Sequence, residues 1–361
     1  MRFLVITAFL VCNAAIFAAD IDSMAVKKRK PLGRRVVSAL YHFVKEFSAV
    51  DTNYVEPQRY NYMLMMQNTN TYEVYRISTK DGNTIRLAPG PSVKVGPYFG
   101  WRWIFLGYTV QVNHLAGDKS KKEFDLSLYS TQIGIDLFYR RTGSDYKIRT
   151  MNFGDDVDTG AMKGVAFDGI HASITGFNIY YIFNHRKFSY PAAFNQSTVQ
   201  RRSCGSLLVG IGFTKHSLDV DWGKLYDLTA DYLGEEVAAE HINPDLTSGK
   251  ITYSDTSVSA GYGYNWVFAR NCLFASSLSL ALGYKQTKSD TEENGRSRHD
   301  FDISNFNIDG QGRFGLVWNN TKWFVGSSVI LHAYNYDKKE FSTNNIFGSL
   351  NIYVGFNFDR R

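Results

Sequence analysis

His171 and Ser173 stand two residues apart in the run IHASI. On a β-strand alternate side chains share a face, so this spacing can set a base beside a hydroxyl, the pairing that activates a serine nucleophile. Ile170, Ala172 and Ile174 would face away. The sequence does not identify an orienting third member, and His-x-Ser also arises by chance, so a structural role for both residues stands beside the catalytic one. A second group is charged. Asp125, Asp136, Arg140, Asp309 and Arg313 fall on the polar faces of alternating segments. Inside a closed sheet such residues either line a water-filled path or pair across the interior. A third group is the acidic, aromatic stretch 216–250, with Asp219, Asp221, Asp227, Asp231, Glu235, Glu236, Glu240 and Asp245 beside Trp222, Tyr226 and Tyr232. None of its spacings matches a calcium loop. It reads as a solvated external loop, or as one that meets a small solute, a glycan or a partner.

Other chemistry finds no motif. There is no CxxC or Cys/His metal spacing, phosphate loop, dinucleotide fingerprint, zinc-protease motif or nucleic-acid module. The reading therefore includes no metal, no cofactor and no nucleic acid. Cys12 falls within the N-terminal apolar run, leaving Cys204 and Cys272. The alternation puts Cys204 on the side of Ser206 and Cys272 on that of Phe274, with a strand between them, which is wrongly aimed for a bridge.

The elements that must position these residues are strands. The last segment shows it best: Ile346, Leu350, Ile352, Val354, Phe356 and Phe358 alternate with Ser349, Asn351, Tyr353, Gly355 and Asn357. The same period of two recurs in 104–112, 132–140, 256–268, 274–284 and 306–318. A soluble β-sandwich alternates too, but here the polar face carries Gly, Ser, Asn and Gln rather than Lys and Glu, and aromatics gather at segment ends, as at a membrane interface. The chain of 361 residues holds 23 Tyr, 26 Phe and 30 Gly against 7 Pro. That usage favours strands, and past the N-terminus no apolar run reaches the length of a membrane helix.

The first residues are a separate unit. Arg2, the apolar run Phe3 to Ala14 and the small residues Ala14, Ala15, Ala18 and Ala19 read as a signal peptide over 1–19, with an N-terminal anchor as the alternative. Lys27, Lys28, Arg29, Lys30, Arg34 and Arg35 follow as a basic run, placed either near anionic lipid or cell wall or in a solvated tail. Val36, Val37, Leu40, Phe43, Val44 and Phe47 share one face of a short amphipathic helix over 36–48.

Counting back from the C-terminus places strands near 342–358, 322–336, 301–318, 272–287, 251–268, 203–215 and 168–184. Two more lie in 123–141, split near Ser130-Thr131, followed by 102–114, 91–99 and one within 60–79. Tight turns (Gly100-Trp101, Arg270-Asn271, Asn319-Asn320) alternate with polar loops (115–122, 143–166, 216–250, 288–299, 337–341). About twelve strands result, an even number that brings both ends to one side. The connection 185–202 is long for a tight turn and implies either an inserted element or two further strands.

The stretch KFSYPAAFNQSTVQRRSCGSLLVG (Lys187 to Gly210) resembles the signature of the DUF4421 family, uncharacterised exported proteins of Bacteroidetes. DTNYVEP at 51–57, EFDLSLYSTQIGIDLFY at 123–139 and FNIYYIFNHRKFSY at 177–190 resemble it as well. Cys204 stands where relatives more often carry a small residue. The resemblance implies an outer-membrane setting and supplies no substrate or catalytic residue.

The expectation is an all-β chain: a transmembrane, antiparallel, up-and-down β-barrel of about 12 strands over 59–361. Before it come a periplasmic segment with a short helix over 20–58 and the signal peptide. It would sit in the outer membrane against lipid, both termini periplasmic, as a non-enzymatic structural or binding barrel or narrow channel. A membrane lipid hydrolase using His171 and Ser173, and a soluble periplasmic β-protein, are the alternatives.

Overall fold

The computed structural model describes residues 49–79, 82–101, 104–112, 122–143, 145–242, 251–288, 305–337 and 341–360. The expected signal peptide, basic run and helix over 36–48 lie outside them.

In chain order the strands are β1 (Val55–Pro57), β2 (Tyr60–Thr79), β3 (Thr84–Pro89), β4 (Ser92–Trp101), β5 (Ile104–Gly107), β6 (Val110–Gln111), β7 (Lys122–Tyr129), β8 (Ile133–Arg141) and β9 (Tyr146–Asn152). They continue as β10 (Ile170–Ile182), β11 (Thr198–Gln200), β12 (Cys204–Val220), β13 (Ile251–Ala269), β14 (Cys272–Lys288), β15 (Phe306–Asn319), β16 (Trp323–Asp337) and β17 (Phe341–Arg360). Three short α-helices join them: α1 (Tyr190–Phe194), α2 (Trp222–Leu233) and α3 (Glu235–His241).

Twelve strands form one curled antiparallel wall, in the order β5-β4-β2-β17-β16-β15-β14-β13-β12-β10-β8-β7. Apart from β17–β2, each pairing joins wall strands that follow one another along the chain, as an up-and-down sheet requires. Its two edges approach through side chains: Lys94 on β4 forms an ion pair with Glu123 on β7, and the Thr71 hydroxyl of β2 reaches the same carboxylate at 3.4 Å. The even strand count and the alternation of turns and loops follow the expected order. One end holds both Tyr60 and Arg360, which pair with each other, together with the short turns after β13 and β15 and the long connection between β10 and β12; the other end holds the connection from β12 to β13.

The turns are locally encoded. Asn271 takes φ 64° between β13 and β14, a conformation asparagine tolerates. Between β15 and β16 it is Thr321 that has φ 77°. A β-branched residue is strained there, and three amides hold it: Asn319 Oδ1 accepts from its N–H at 2.8 Å, Asn320 Oδ1 accepts from the Trp323 N–H at 2.7 Å, and Asn357 Nδ2 donates to its carbonyl at 2.7 Å.

The wall has opposite faces. On β14, Leu278, Leu280 and Leu282 point out and stay exposed, while Ala275 and Ser277 point in and are buried. Outward apolar side chains continue around the sheet, through Val258 and Tyr262 on β13, Leu207 and Ile211 on β12, Leu64 and Met66 on β2, and Ile352 and Val354 on β17. A surface of this extent is not left to water by a soluble monomer. Among the described residues no helix is long and apolar enough to cross a membrane; a β-barrel crosses one with strands instead.

Candidate functional site: a plugged and capped lumen

The connection between β10 and β12 turns inward and fills the mouth at the terminus end. Asn184 starts the reversal, its carbonyl accepting from the Lys187 and Phe188 N–H groups. Ser189 then caps α1, its hydroxyl accepting from the Ala192 N–H, with Pro191 in the first turn. That is a helix start legible from residue types alone. After a left-handed Gln196 (φ 56°) the chain extends as β11, which pairs with β1 in a two-stranded sheet. Arg201 ties the two ends together, forming an ion pair with Glu56 and donating to Asn271 Oδ1 at 2.6 Å.

The plug is bonded to the wall around it. Tyr190 shares a hydrogen bond with Ser277. Gln196 Nε2 donates to the Tyr353 hydroxyl at 2.7 Å, and that hydroxyl donates to the Ala193 carbonyl. Asn265 Nδ2 donates to both the Ser189 carbonyl and Gln200 Oε1. The Phe188 ring lies over Gly263, where a Cβ would approach it to 2.9 Å, so glycine makes room for the ring. Phe188, Tyr190 and Ala193 are all buried. Burial raises the Tyr190 phenol above its usual range, with the Arg313 guanidinium acting in the opposite sense.

That guanidinium is the next layer. Arg313 on β15 donates to the hydroxyls of Tyr129 and Tyr180 at 2.8 Å each and forms an ion pair with Asp136 on β8. Asp136 also accepts from Ser127 at 2.6 Å. The Arg313 plane lies 5.1 Å from the Tyr180 ring centre and 5.8 Å from that of Tyr190. Arg140, one turn of the ladder nearer the loop end, bonds Asp125 at 3.2 Å and stacks over Phe347 at 4.4 Å. Arg140 and Arg313 are buried; the Asp125 side chain is about half exposed, at 48%, because β7 is an edge strand. Asp309 accepts from the Asn335 N–H at 3.0 Å and from Asn307 at 2.6 Å, and Lys285 donates to the Asn335 carbonyl. Of the five charged residues singled out in the sequence, four thus form two ion pairs, Asp136–Arg313 and Asp125–Arg140, and Asp309 sits in a separate polar cluster.

Two small cavities lie among these described residues. A cavity of about 40 Å³ lies between Tyr180, Tyr190, Ser257, Asp309, Arg313 and Tyr334, and a second of about 40 Å³ between Asp125, Asp136, Arg140 and His332. Each has room for a few waters.

The loop end is covered differently. β3 leaves the wall with β2 and pairs with β9. Over this small sheet pack η1 (Gly160–Met162) and the helices α2 and α3. Ile77, Leu87, Ile148, Met162, Phe167 and Leu225 are almost wholly buried in this cap. The acidic stretch expected as a loop is therefore mostly helical. Asp221 caps α2 by accepting from the Lys224 N–H at 2.9 Å; Trp222, Leu225 and Thr229 face the cap core and the acids face water. The polar segment 143–166 likewise contains β9. Outside the strands, Lys224 bonded to Asp168 holds that carboxyl below the usual range.

His171 and Ser173 share the outward face of β10, His171 exposed and Ser173 partly so, with Ala172 and Ile174 buried on the other face. Register sets Asp219 of β12 opposite His171 and Ser217 opposite Ser173. No hydrogen bond joins His171 to Ser173 among the described residues. Cys204 and Cys272 are both free thiols.

The fold and interior define a class: a twelve-strand antiparallel barrel wall with an internal plug and a folded cap. The family profile described as a domain of unknown function (DUF4421) matches residues 49–358, and the chain belongs to that family. No curated protein matches the sequence. Among solved structures, the chain is similar to the outer membrane protease OmpT of Escherichia coli, at 8% identity and TM-score 0.32, covering 82% of this chain and 97% of that one. It is similar also to the translocator domain of the autotransporter NalP of Neisseria meningitidis, at 9% identity and TM-score 0.28, covering 96% and 99%. The outer membrane protein OprG of Pseudomonas aeruginosa matches at 8% identity and TM-score 0.24, covering 84% and 98%.

The inserted element that the sequence offered for 185–202 is present as α1 and β11; what sequence reasoning missed is that it turns inward as a plug. The signal of its helix was present in Ser189-Tyr190-Pro191, a helix start placed inside a connection between two strands.

Proposed function

We propose that this protein is an outer-membrane barrel with a closed lumen, a scaffold that holds a folded cap at the cell surface, rather than an open channel or an enzyme. The observation that carries the reading is the filled interior: the plug occupies one mouth, the Arg313 layer crosses the middle and the cap covers the other end. Short turns after β13 and β15 beside both termini, with the folded cap opposite, support an orientation with the termini periplasmic and the cap external. A glycan or protein partner would then meet the outer surfaces of α2 and α3, where Tyr232 is exposed. The test is planar-bilayer recording of folded protein. The wild type is expected to stay silent and a variant lacking 188–199 to conduct; steady wild-type conductance would reject the closed-lumen reading.

A second reading, lipid hydrolysis, draws on the register that puts Asp219 across from His171 with Ser173 on the same outward face. Phospholipid hydrolysis by the wild type that Ser173→Ala abolishes would establish it; absent or equal activity rejects it.

A further inference from the structure

Arg76 on β2 and Arg86 on β3 are direct cross-strand partners. Both are exposed, and both lie on the face opposite the cap core, since Tyr75, Ile77, Ile85 and Leu87 are the buried residues of the same two strands. Like charges directly opposite on a ladder repel and weaken it. No described carboxylate lies within ion-pair distance of either guanidinium. Lys147 and Arg149 of β9, the next strand of the small sheet, are exposed as well. The face is thus a row of basic side chains that no described carboxylate neutralises.

Its position says what neutralises it. Tyr72, Val74 and Arg76 follow at intervals of two on the outward face of β2, and Ile346 of β17 is the partner of Val74. Tyr72, Val74 and Ile346 are exposed apolar groups at the loop-end margin of the outward belt. One strand face therefore passes from hydrocarbon-compatible to doubly cationic within two residues. The same step recurs on the barrel's other edge, where Lys122 and Arg141 are direct partners, both exposed, two residues from the outward-facing Phe124 and Tyr139.

We propose that Arg76 and Arg86 bind the phosphate of an anionic lipid headgroup in the leaflet that meets the loop end, with the acyl chains against Tyr72, Val74 and Ile346. Two guanidiniums side by side suit a phosphate with more than one oxygen to offer, because each can donate a pair of hydrogen bonds. The bound phosphate removes the repulsion that the ladder otherwise carries. This inference rests on the membrane-embedded reading of the wall and not on the closed lumen.

The experiment is native mass spectrometry of the folded full-length mature chain in detergent, with bisphosphorylated lipid A, its dephosphorylated form and inorganic phosphate as probes. Wild type is expected to retain the bisphosphorylated lipid at least tenfold better than the dephosphorylated one, the double variant R76Q/R86Q to lose at least tenfold of that retention, and R76K/R86K to recover part of it. A glutamine variant that keeps lipid as the wild type does, or a wild type that holds the two lipids equally, would overturn the proposal. So would displacement of the lipid by millimolar inorganic phosphate, which would assign the pair to a soluble anion. Should the double variant not fold, the single variant R86Q takes its place, read as the rise in Tm on adding the bisphosphorylated lipid: a rise equal to the wild type's counts against the site. Heat-modifiable migration of the wild type in detergent gels separates the two failures, because a wild type that lacks it loses the membrane reading itself.

Discussion

At the terminus end, the chain from Phe188 to Gln200 is fixed by side-chain hydrogen bonds, some within it, such as Ser189 to Thr198, and others crossing to the wall: Tyr190 to Ser277, Gln196 to Tyr353, Asn265 to the Ser189 carbonyl. At the loop end, β3, β9, η1 and α2 are held by an apolar core that they share with the ends of β2, β10 and β12, Ile85, Ile148, Met162, Phe167 and Leu225 lying with Ile77, Ile170 and Val220. The contrast follows from what each element meets. The plug enters a lumen whose wall presents Ser, Asn and Tyr, so it gains position from directed bonds, and each of its polar groups must be matched because it is dry. The cap excludes water together with the apolar ends of β2, β10 and β12, so it depends on apolar burial, which is strong but undirected. One end is thus joined to the barrel largely by directed bonds and the other largely by apolar burial.

The sharpest way to break that contrast is in the layer between the ends. Arg313→Met leaves Asp136 buried without its cation and removes the donor to Tyr129 and Tyr180; loss of one partner of a buried pair costs about 3–5 kcal/mol. The midpoint of urea unfolding should fall accordingly. The double change Arg313→Met with Asp136→Leu should recover most of the loss, because no orphaned charge is left. Recovery of less than half would mean that the tyrosine bonds, not the ion pair, dominate this layer.

Tyr190→Ala comes next and acts on the plug alone. The ring packs against Tyr129, Tyr180, Phe188 and Phe194, and removing a buried aromatic costs about 3 kcal/mol. With its anchor to Ser277 gone, the plug should leave the mouth part of the time, giving intermittent conductance in bilayers where the wild type is silent. A silent Tyr190→Ala barrel of normal stability would show that the plug is held by its ends, through β1–β11 pairing and Arg201, rather than by its centre.

Leu225→Ala is the matching test of the cap. The side chain is 1% exposed, and the cavity left costs about 2–3 kcal/mol. If the cap is a domain of its own, proteolysis within 153–168 and 221–242 should accelerate while heat-modifiable migration of the barrel stays unchanged. Parallel loss of both would mean that cap and wall unfold as one unit.

The same contrast explains what the sequence disclosed. The wall was legible because lipid outside and water or polar groups inside impose a period of two on every strand, so that Ile133, Ile135 and Leu137 alternate visibly with Asp136 and Arg140. The facing of Arg313 and Asp309 could be read from that period. Their partners could not, since Asp136 and Arg313 are 177 residues apart and only strand order and register bring them together. The cap was hidden for another reason. Its helix α2 alternates Trp222, Leu225 and Thr229 with acids at helical spacing, but over so short a stretch that the acids dominate the composition. The plug showed only as an overlong connection, because its residues are small, polar and aromatic, the composition of a turn; the Ser-x-Pro start marks its helix, but nothing in the sequence marks its inward course.

The smallest effect sharpens the comparison from the cap's surface. Asp168 and Lys224 join the start of β10 to α2 at 2.5 Å, with both side chains about half exposed. The bond to Lys224 lowers the Asp168 carboxyl in the folded state. A carboxyl lower in the folded than in the unfolded chain adds stability at pH above its unfolded value of about 4, and that stability is lost as pH falls through the folded value. Solvent screening keeps the contribution to about 0.5 kcal/mol or less. Proteolysis of the cap should therefore quicken slightly below pH 4 in the wild type, and Asp168→Asn should remove that part of the pH dependence. Conductance should be indifferent to the change, because the pair belongs to the cap and the mouth is closed at the other end by a plug it never touches.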